Sequence, residues 1–338
     1  MAFKEHITEE ELDELLRPKL RLFMSVDVIG STSFKHSSEH AESQGWLDFF
    51  YSFYNTFSAS FANQRARIAR KVGLDKPLRP PRLWKALGDE LIYEVELQEE
   101  NEAAYYLSAF RSTVNRRIRH QSQEGEGALP ISFKATAWLA GFPVGNAAIP
   151  LERTSGDDAE YDYVGPLIDI GFRLTHHATT RRFIISVDLA WLISTEGGGE
   201  LDFFYEGRET LRGVLENRTY PIIWIDAHQE ELRSNPTRSQ RLAGLEDRLL
   251  GREKQDLDTL AAYCRSFIEH TGEPLMLPWI EGDTGALEIN RPVDYEKKLL
   301  KMRSRLHRVF IKGQSEFREE ASEGENPLRE IEDKLDKL

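Results

Sequence analysis

Two apolar segments that contain isolated carboxylates constrain the fold of this chain more than any other part of the sequence. RLFMSVDVIG (21–30) has the composition of a buried strand, with Asp27 near its centre. RLWKALGDELIYEVEL (82–97) contains two strand-like runs joined at Gly88 and Asp89, which is the chemistry of a tight hairpin turn. Because burying an unpaired carboxylate is costly, Asp27 is expected to be paired, hydrogen-bonded or bound to metal. Asp89 has two interpretations: an ordinary turn residue that faces water, or a second functional carboxylate.

The order of the remaining segments predicts the fold class. Helical periodicity extends over residues 7–18, 36–71 and 99–120, and a further strand is predicted over 131–141. Helix-like and strand-like segments then alternate irregularly up to residue 226, with several hairpins among them. This order is typical of an α+β fold, in which a mixed or antiparallel sheet is covered by helices, and not of a uniform βαβ repeat.

The chain changes character near residue 227. Beyond it the sequence is highly charged and mostly helical in pattern, and residues 315–338 are nearly all polar. We therefore predict three regions: an N-terminal helical segment (1–19), a compact domain (20–227) and a helical C-terminal region with a polar tail (228–338).

Charge and cysteine content exclude several classes of protein. The formal net charge of −13 argues against a general binder of nucleic acid polymers, which needs clustered Lys and Arg. A small anion such as a nucleotide remains possible if metal ions carry the positive charge. The single cysteine, Cys264, excludes an intrachain disulfide and fits a reducing compartment. No apolar run approaches the ~20 residues of a membrane span, and the acidic N-terminus is unlike a signal peptide. These features predict a cytoplasmic protein with no membrane partner.

A third segment, DYVGPLIDIGFRL (162–174), contains charged residues at the start of an apolar helix. Asp169 and Arg173 are four residues apart and share one helix face, where an ordinary ion pair is the simplest interpretation. The two strand-borne aspartates, Asp27 and Asp89, together indicate a two-metal site of the kind that serves phosphoryl transfer. The sequence contains no GxxxxGK[ST] and no GxGxxG motif, so metal ions would have to hold the phosphates of a bound nucleotide.

Taken together and in this order, the motifs resemble a known family. SVDVIGST (25–32) followed by KALGDE (85–90) is similar to the metal-binding core of the class III nucleotidyl cyclases. DYVGPLIDIGFRL resembles that family's third motif, and TLRGV with YPIIWID resembles its closing segment, so the resemblance covers about residues 20–226. Within the family, overall likeness points to the bacterial pyrimidine cyclases of the Pycsar antiphage systems, uridylate cyclases most closely. The resemblance implies a class III cyclase-like α+β domain followed by a helical C-terminal appendage.

The resemblance also implies a role for each matching residue. Asp27, Asp89 and the backbone carbonyl of Val28 match the ligands of two divalent cations, Mn²⁺ or Mg²⁺. Arg173 matches the catalytic arginine that stabilises charge on the α-phosphate. Asp169 departs from the family, which usually has asparagine there to position the ribose. As aspartate it has three interpretations: an ion pair with Arg173, a contact to the ribose hydroxyls, or lower activity.

Nucleotide contacts are implied for four further positions. Lys85 and Asp162 match the pair that reads the edge of the base, and Arg212 is a weaker match for a residue that meets the terminal phosphates. Hydrogen bonding by Lys85 and Asp162 leaves all four bases open, because each base offers one suitable donor and one suitable acceptor. Phe23 is a candidate for shrinking the pocket to the size of a pyrimidine, together with Trp84 and with Phe50 and Tyr51 of the helix predicted over 36–71. Core packing is the alternative for all of these aromatic residues.

The implied activity is the conversion of UTP to cUMP and pyrophosphate, as a second messenger for antiphage defence that a separate effector protein reads. One cyclase domain per chain implies a homodimer, in which Asp27 and Asp89 of one chain meet Lys85, Asp162, Asp169 and Arg173 of the other. Two alternatives stay open. One is a cyclase for ATP, GTP or CTP, and the other is a catalytically silent module that senses nucleotides, which Asp169 favours.

Overall fold

The computed structural model of the chain describes residues 4, 6–36, 45–122, 131–152, 160–196, 201–228, 238–282 and 290–311. By compactness the chain divides into two units. The larger unit contains Lys19–Gly141 and Gly165–Arg291, and the smaller contains Met1–Pro18, Phe142–Val164 and Pro292–Leu338. This division cuts the chain at other positions than the sequence-based limits 1–19, 20–227 and 228–338, which stay a prediction.

A seven-stranded mixed sheet forms the centre of the larger unit. Its strands are β1 (Lys19–Ile29), β2 (Arg82–Leu87), β3 (Glu90–Glu96), β4 (Ser132–Phe142), β7 (Arg182–Ile185), β8 (Phe203–Thr210) and β9 (Thr219–Asp226). They lie in the order β2-β3-β1-β4-β7-β9-β8. β4 and β7 are parallel, whereas the pairs β1–β3, β2–β3, β7–β9 and β8–β9 are antiparallel. The predicted mixed α+β sheet is confirmed.

Three helices lie close to the segments 7–18, 36–71 and 99–120 in which periodicity predicts them, and residues 37–44 of the second segment lie outside the described residues. In chain order the helices are α1 (Glu9–Leu16), α2 (Ser31–His36), α3 (Gly45–Val72), α4 (Glu102–Ser122), α5 (Pro166–Leu174), α6 (Val187–Thr195), α7 (Arg238–Leu250), α8 (Leu257–Thr271) and α9 (Tyr295–Leu306). α3 and α4 cover one face of the sheet, where Phe57 and Phe110 pack against Tyr93 of β3. Full burial of these aromatic side chains makes this face the main core of the unit.

α5 lies unusually close to the opposite face of the sheet. The indole of Trp138 on β4 stacks on Phe23 of β1 at a centroid distance of 5.5 Å, and Phe172 of α5 lies 5.8 Å from the same indole. A Cβ atom at Gly171 would lie 2.3 Å from the Trp138 ring. Glycine at this position therefore lets the helix approach the sheet, and this approach fixes the height of Asp169 and Arg173 above it.

The smaller unit is built around the first and last described helices. Buried Ile7, Leu12, Leu15 and Leu16 form its core, against which Leu299, Met302 and Leu306 of α9 pack. Thr8 caps α1 in a capping box with Glu11. The unit also contains a two-stranded antiparallel sheet, β5 (Ala147–Pro150) and β6 (Tyr161–Val164).

The C-terminal region is helical, as predicted. α8 packs against α6, with Phe267 in edge contact with Tyr220 of β9. The predicted polar tail, 315–338, lies outside the described residues. In the described part of the chain, none of the helices combines the length and the apolar composition needed to cross a bilayer.

Candidate metal and nucleotide site

The β2–β3 hairpin brings Asp89 beside Asp27. Leu87 pairs with Glu90, which leaves Gly88 and Asp89 as a two-residue loop. Gly88 has φ of 69° at the first loop position, the arrangement of a type II′ turn, which favours glycine. Asp27 pairs with Glu90 across β1 and β3, and the Val28 N–H donates to the Asp89 carbonyl at 3.3 Å. The predicted hairpin is confirmed, and its turn residue lies at the end of β1 next to the strand-borne aspartate.

Each aspartate of the pair has one side-chain partner among the described residues. Lys134 Nζ lies 2.9 Å from Asp27 Oδ2, and both side chains are 24% exposed. The Ser31 hydroxyl, at the start of α2, donates to the carboxylate of Asp89. Burial raises the pKa of Asp27, and the negative charge of Asp89 raises it further, which together outweigh the ion pair with Lys134. Added positive charge would therefore stabilise the ionised form of this site.

Glu90 adds a third carboxylate on the same face of the sheet. Its side chain accepts a hydrogen bond from Ser25 Oγ at 2.5 Å. Burial raises the pKa of Glu90, and the charges of Asp27 and Asp89 act in the same direction. Three carboxylates and one ammonium leave this corner of the unit negative when all are ionised, which is an environment that attracts cations.

The donor set fits a divalent cation that is also held by its substrate. Across the described residues, no group of three or more His, Cys, Asp or Glu side chains is arranged to hold a metal ion. Two carboxylates, Asp27 and Asp89, are nevertheless the usual protein share of a Mg²⁺ site that takes its remaining oxygens from phosphates and water. Val28 follows Asp27 in the sequence, and its backbone N–H donates to the Asp89 carbonyl, so its main chain lies beside both aspartates.

Arg173 lies beside the turn that contains Arg212. The guanidinium of Arg173 is exposed on α5, with Nη2 4.0 Å from where a Cβ of Gly213 would lie. Gly213 has φ of 77°, and the three residues Leu215–Asn217 that follow also have positive φ, between 51° and 60°. Such backbone is strained for residues other than glycine, and strain of this kind concentrates at functional sites. The structure thus places two of the predicted phosphate-binding residues in one neighbourhood.

Asp169 does not pair with Arg173. Both side chains are exposed, both residues are described, and the structure contains no ion pair between them. Arg173 and the two aspartates Asp27 and Asp89, all of them described residues, likewise form no ion pair with one another. The ion pair between Asp169 and Arg173 is absent from this part of the structure, and the role of Asp169 stays a prediction.

The predicted base-reading residues lie in different units. Lys85 Nζ lies 4.6 Å above the ring of Trp84, which itself contacts Phe23 at 5.2 Å. Phe23 is fully buried between Trp84 and Trp138, so the structure gives it a packing role, and its nucleotide contact stays a prediction. Asp162 belongs to β6 of the smaller unit, where its carboxylate accepts the backbone N–H of Tyr163 at 2.9 Å.

Two residues of this site were missed by the sequence interpretation. Lys134 is an isolated cation in the apolar strand ISFKATAWLAG, which is the same kind of signal that drew attention to Asp27. Ser31 follows the glycine that ends β1, and only the folded position of the hairpin shows that its hydroxyl reaches Asp89.

Two solved structures of nucleotide cyclases resemble this chain at low similarity. The adenylyl cyclase CyaB from P. aeruginosa has a TM-score of 0.43 and 16% identity, over 62% of this chain and 94% of that chain. The guanylate cyclase domain of RhGC from Catenaria anguillulae, in complex with GTP, has a TM-score of 0.42 and 12% identity, over 62% and 97%. No protein-family model and no curated protein matches. TM-scores below 0.5 at such low sequence identity show neither the family nor the activity of this chain.

Proposed function

We propose that this protein is a nucleotidyl cyclase, which converts a nucleoside triphosphate to its 3′,5′-cyclic monophosphate and pyrophosphate. The observation that carries the proposal is the position of Asp89 beside Asp27, because residues sixty-two positions apart in the sequence meet as the paired carboxylates that the resemblance implies. The exposed Arg173, next to the Arg212 turn, supports a phosphate-binding role for that neighbourhood.

Three residues of this chain would bind the metal ions in the proposed reaction. Asp27, Asp89 and the Val28 carbonyl would hold divalent cations, Mn²⁺ or Mg²⁺. Bound cations of this kind lower the pKa of an attacking hydroxyl and neutralise a leaving pyrophosphate. The ribose 3′-oxygen attacks the α-phosphorus, the bond to the β-phosphate oxygen breaks, and the hydroxyl proton leaves to solvent.

Positive side chains complete the proposed phosphate site. The guanidinium of Arg173 stabilises the charge that develops on the α-phosphate, and Arg212 meets the terminal phosphates. Asp169, which has no ion pair with Arg173, is available to accept a hydrogen bond from a ribose hydroxyl.

We infer UTP as the favoured substrate, with cUMP as a cytoplasmic second messenger for antiphage defence that a separate effector protein reads. Sequence likeness to the uridylate cyclases carries this inference. The bulk of Trp84, packed on Phe23 and Phe172 directly beside Lys85, supports a small base. Lys85 and Asp162 stay proposed base contacts on the strength of the resemblance alone.

The activity is tested by incubating the purified protein with Mn²⁺ and each of ATP, GTP, CTP and UTP, followed by mass analysis of the products. We expect cUMP from the wild type and none from Asp27→Asn or Asp89→Asn. The absence of a cyclic product from all four nucleotides would refute the cyclase and favour a silent nucleotide-binding module. A purine product alone would refute the substrate assignment and leave the cyclase standing.

A shared active site in a homodimer is tested by mixing inactive variants. Chains with Asp27→Ala and chains with Arg173→Ala should regain about a quarter of the wild-type activity, since half of the dimers are mixed and each contains one intact site. The matched control mixes Asp27→Ala with Asp89→Ala, which should stay inactive because both lesions fall on the same side of every site. Equal behaviour of the two mixtures would exclude the proposed sharing.

A further inference from the structure

Lys134 is bonded to one oxygen of Asp27, a carboxylate that the proposed function assigns to a metal ion. The residue lies on β4, the neighbour of β1 in the sheet, and its Nζ is 2.9 Å from Asp27 Oδ2. Within the described part of the chain, no other ion pair involves Asp27 or Asp89. A divalent cation takes carboxylate oxygens at about 2.0–2.6 Å. An ammonium and a dication on the same carboxylate repel each other, so binding of the dication disfavours the lysine contact.

The net charge around Asp27 stays negative even with Lys134 present. Asp27, Asp89 and Glu90 contribute three negative charges when ionised, and Lys134 contributes one positive charge. The difference of two equals the charge of one divalent cation. Lys134 therefore neutralises only one of the three negative charges, and the site still attracts a dication.

Glu90 offers the ammonium another partner. It lies directly opposite Asp27 in the β1–β3 register and on the same face of the sheet. Ser25 Oγ holds its carboxylate at 2.5 Å, and the positive charge of Lys134 already acts on it. A lysine side chain has four rotatable methylenes, so a move from one carboxylate to its cross-strand neighbour needs no backbone change.

We propose that Lys134 is the resident counter-cation of Asp27, that a divalent cation displaces it on binding, and that Glu90 receives the displaced ammonium. The inference rests on the proposed function, because it requires metal binding at Asp27. Its consequence is that Lys134 keeps the partly buried carboxylate of Asp27 paired in the metal-free protein and holds the metal affinity below that of the carboxylates alone.

The test is a Mn²⁺ titration of the full-length protein without nucleotide, read from the electron paramagnetic resonance signal of free Mn²⁺. Lys134→Met keeps the methylene stem and removes the charge, and it should bind Mn²⁺ about tenfold more tightly, the effect expected for a single and a double positive charge about 5 Å apart in water. Lys134→Arg should restore an affinity close to that of the wild type. Lys254→Met, which removes the same charge from the ion pair with Asp202, is the matched control and should change nothing.

Folding and function are separated from this inference by the same set of proteins. If Lys134→Met is poorly folded, Lys134→Gln serves as the second variant, and thermal melts with and without Mn²⁺ should show a larger stabilisation by Mn²⁺ in either variant than in the wild type. Unchanged or weaker Mn²⁺ binding by a folded Lys134 variant overturns the inference while the proposed function stands. Absence of Mn²⁺ binding by the wild type and all variants refutes the metal-dependent function itself.

The role of Glu90 is tested by a double-mutant cycle. Glu90→Gln should weaken Mn²⁺ binding several-fold more in the wild-type background than in Lys134→Met, because only a lysine needs the second carboxylate. Equal weakening in the two backgrounds would show that the ammonium does not move to Glu90.

Discussion

The close approach of α5 to the sheet makes Gly171→Ala a sharp test of the structure. A methyl group there would lie 2.3 Å from two atoms of the Trp138 indole, whereas ordinary carbon contacts are about 3.5–4.0 Å. The ring is held between Phe23 and Phe172 and has no exposed surface, so the helix must lift by about 1 Å. Overpacking of this kind costs about 3 kcal/mol, and replacing a helical glycine returns about 1 kcal/mol. We expect a net loss of about 2 kcal/mol.

Urea unfolding monitored by tryptophan fluorescence measures this loss, and the chain provides a matched control. At Gly244, in α7, an added methyl carbon would meet no atom within 4 Å beyond its chain neighbours and the local helix backbone, so Gly244→Ala should stabilise the protein by up to about 1 kcal/mol. In a Trp138→Phe background, Gly171→Ala should cost clearly less, since the clashing ring is smaller. A Gly171→Ala protein as stable as Gly244→Ala would refute the tight α5–sheet contact and, with it, the height at which Arg173 is held.

Three further predictions concern other parts of the chain. Burial raises the pKa of Asp188 from 3.8 to about 6, so the folded protein has its full stability below about pH 4 and loses part of it as the carboxyl ionises, up to about pH 6. Asp188→Asn should therefore increase the free energy of unfolding by up to about 3 kcal/mol at pH 7.5 and leave it unchanged at pH 4, measured by urea unfolding at both pH values. Ser31→Ala removes the hydrogen bond that orients Asp89 and should weaken Mn²⁺ binding about tenfold in the resonance titration, with unchanged affinity as the contrary result. Thr8→Ala removes the cap of α1 and should lower stability by about 1 kcal/mol in thermal melts, whereas Thr8→Ser should not.

The parts of the site that sequence could predict are those with a local cause. A charge inside an apolar strand singled out Asp27, and glycine before a carboxylate between two strand-like runs singled out the turn at Asp89. Both signals depend on a few adjacent residues and on the strict alternation of a strand. The same reasoning located the helices, since apolar residues at spacings of three and four recur over many turns.

The rest depends on which strands become neighbours, and no local pattern encodes that. Lys134 follows Asp27 by more than one hundred residues, and only the pairing of β4 with β1 brings the two together. Gly171 is invisible as a packing residue until Trp138 lies beneath it. Phe23 shows a further limit of local patterns, because an aromatic residue on a strand has the same sequence signature in a pocket as in a core.

Asp89 lies in a hairpin at the edge of the sheet, whereas Asp27 lies on an inner strand. β1 is flanked by β3 and β4, whereas β2 is an outermost strand with a register shift between Leu83 and Lys85. Amide hydrogens around Asp27 should therefore exchange with solvent only on global opening, and those at the hairpin tip by local fraying. A bound cation would link the hairpin tip, where amide exchange is fast, to the segment around Asp27, where it is slow. Slower exchange of the Gly88 and Asp89 amide hydrogens would then report binding of the ion directly.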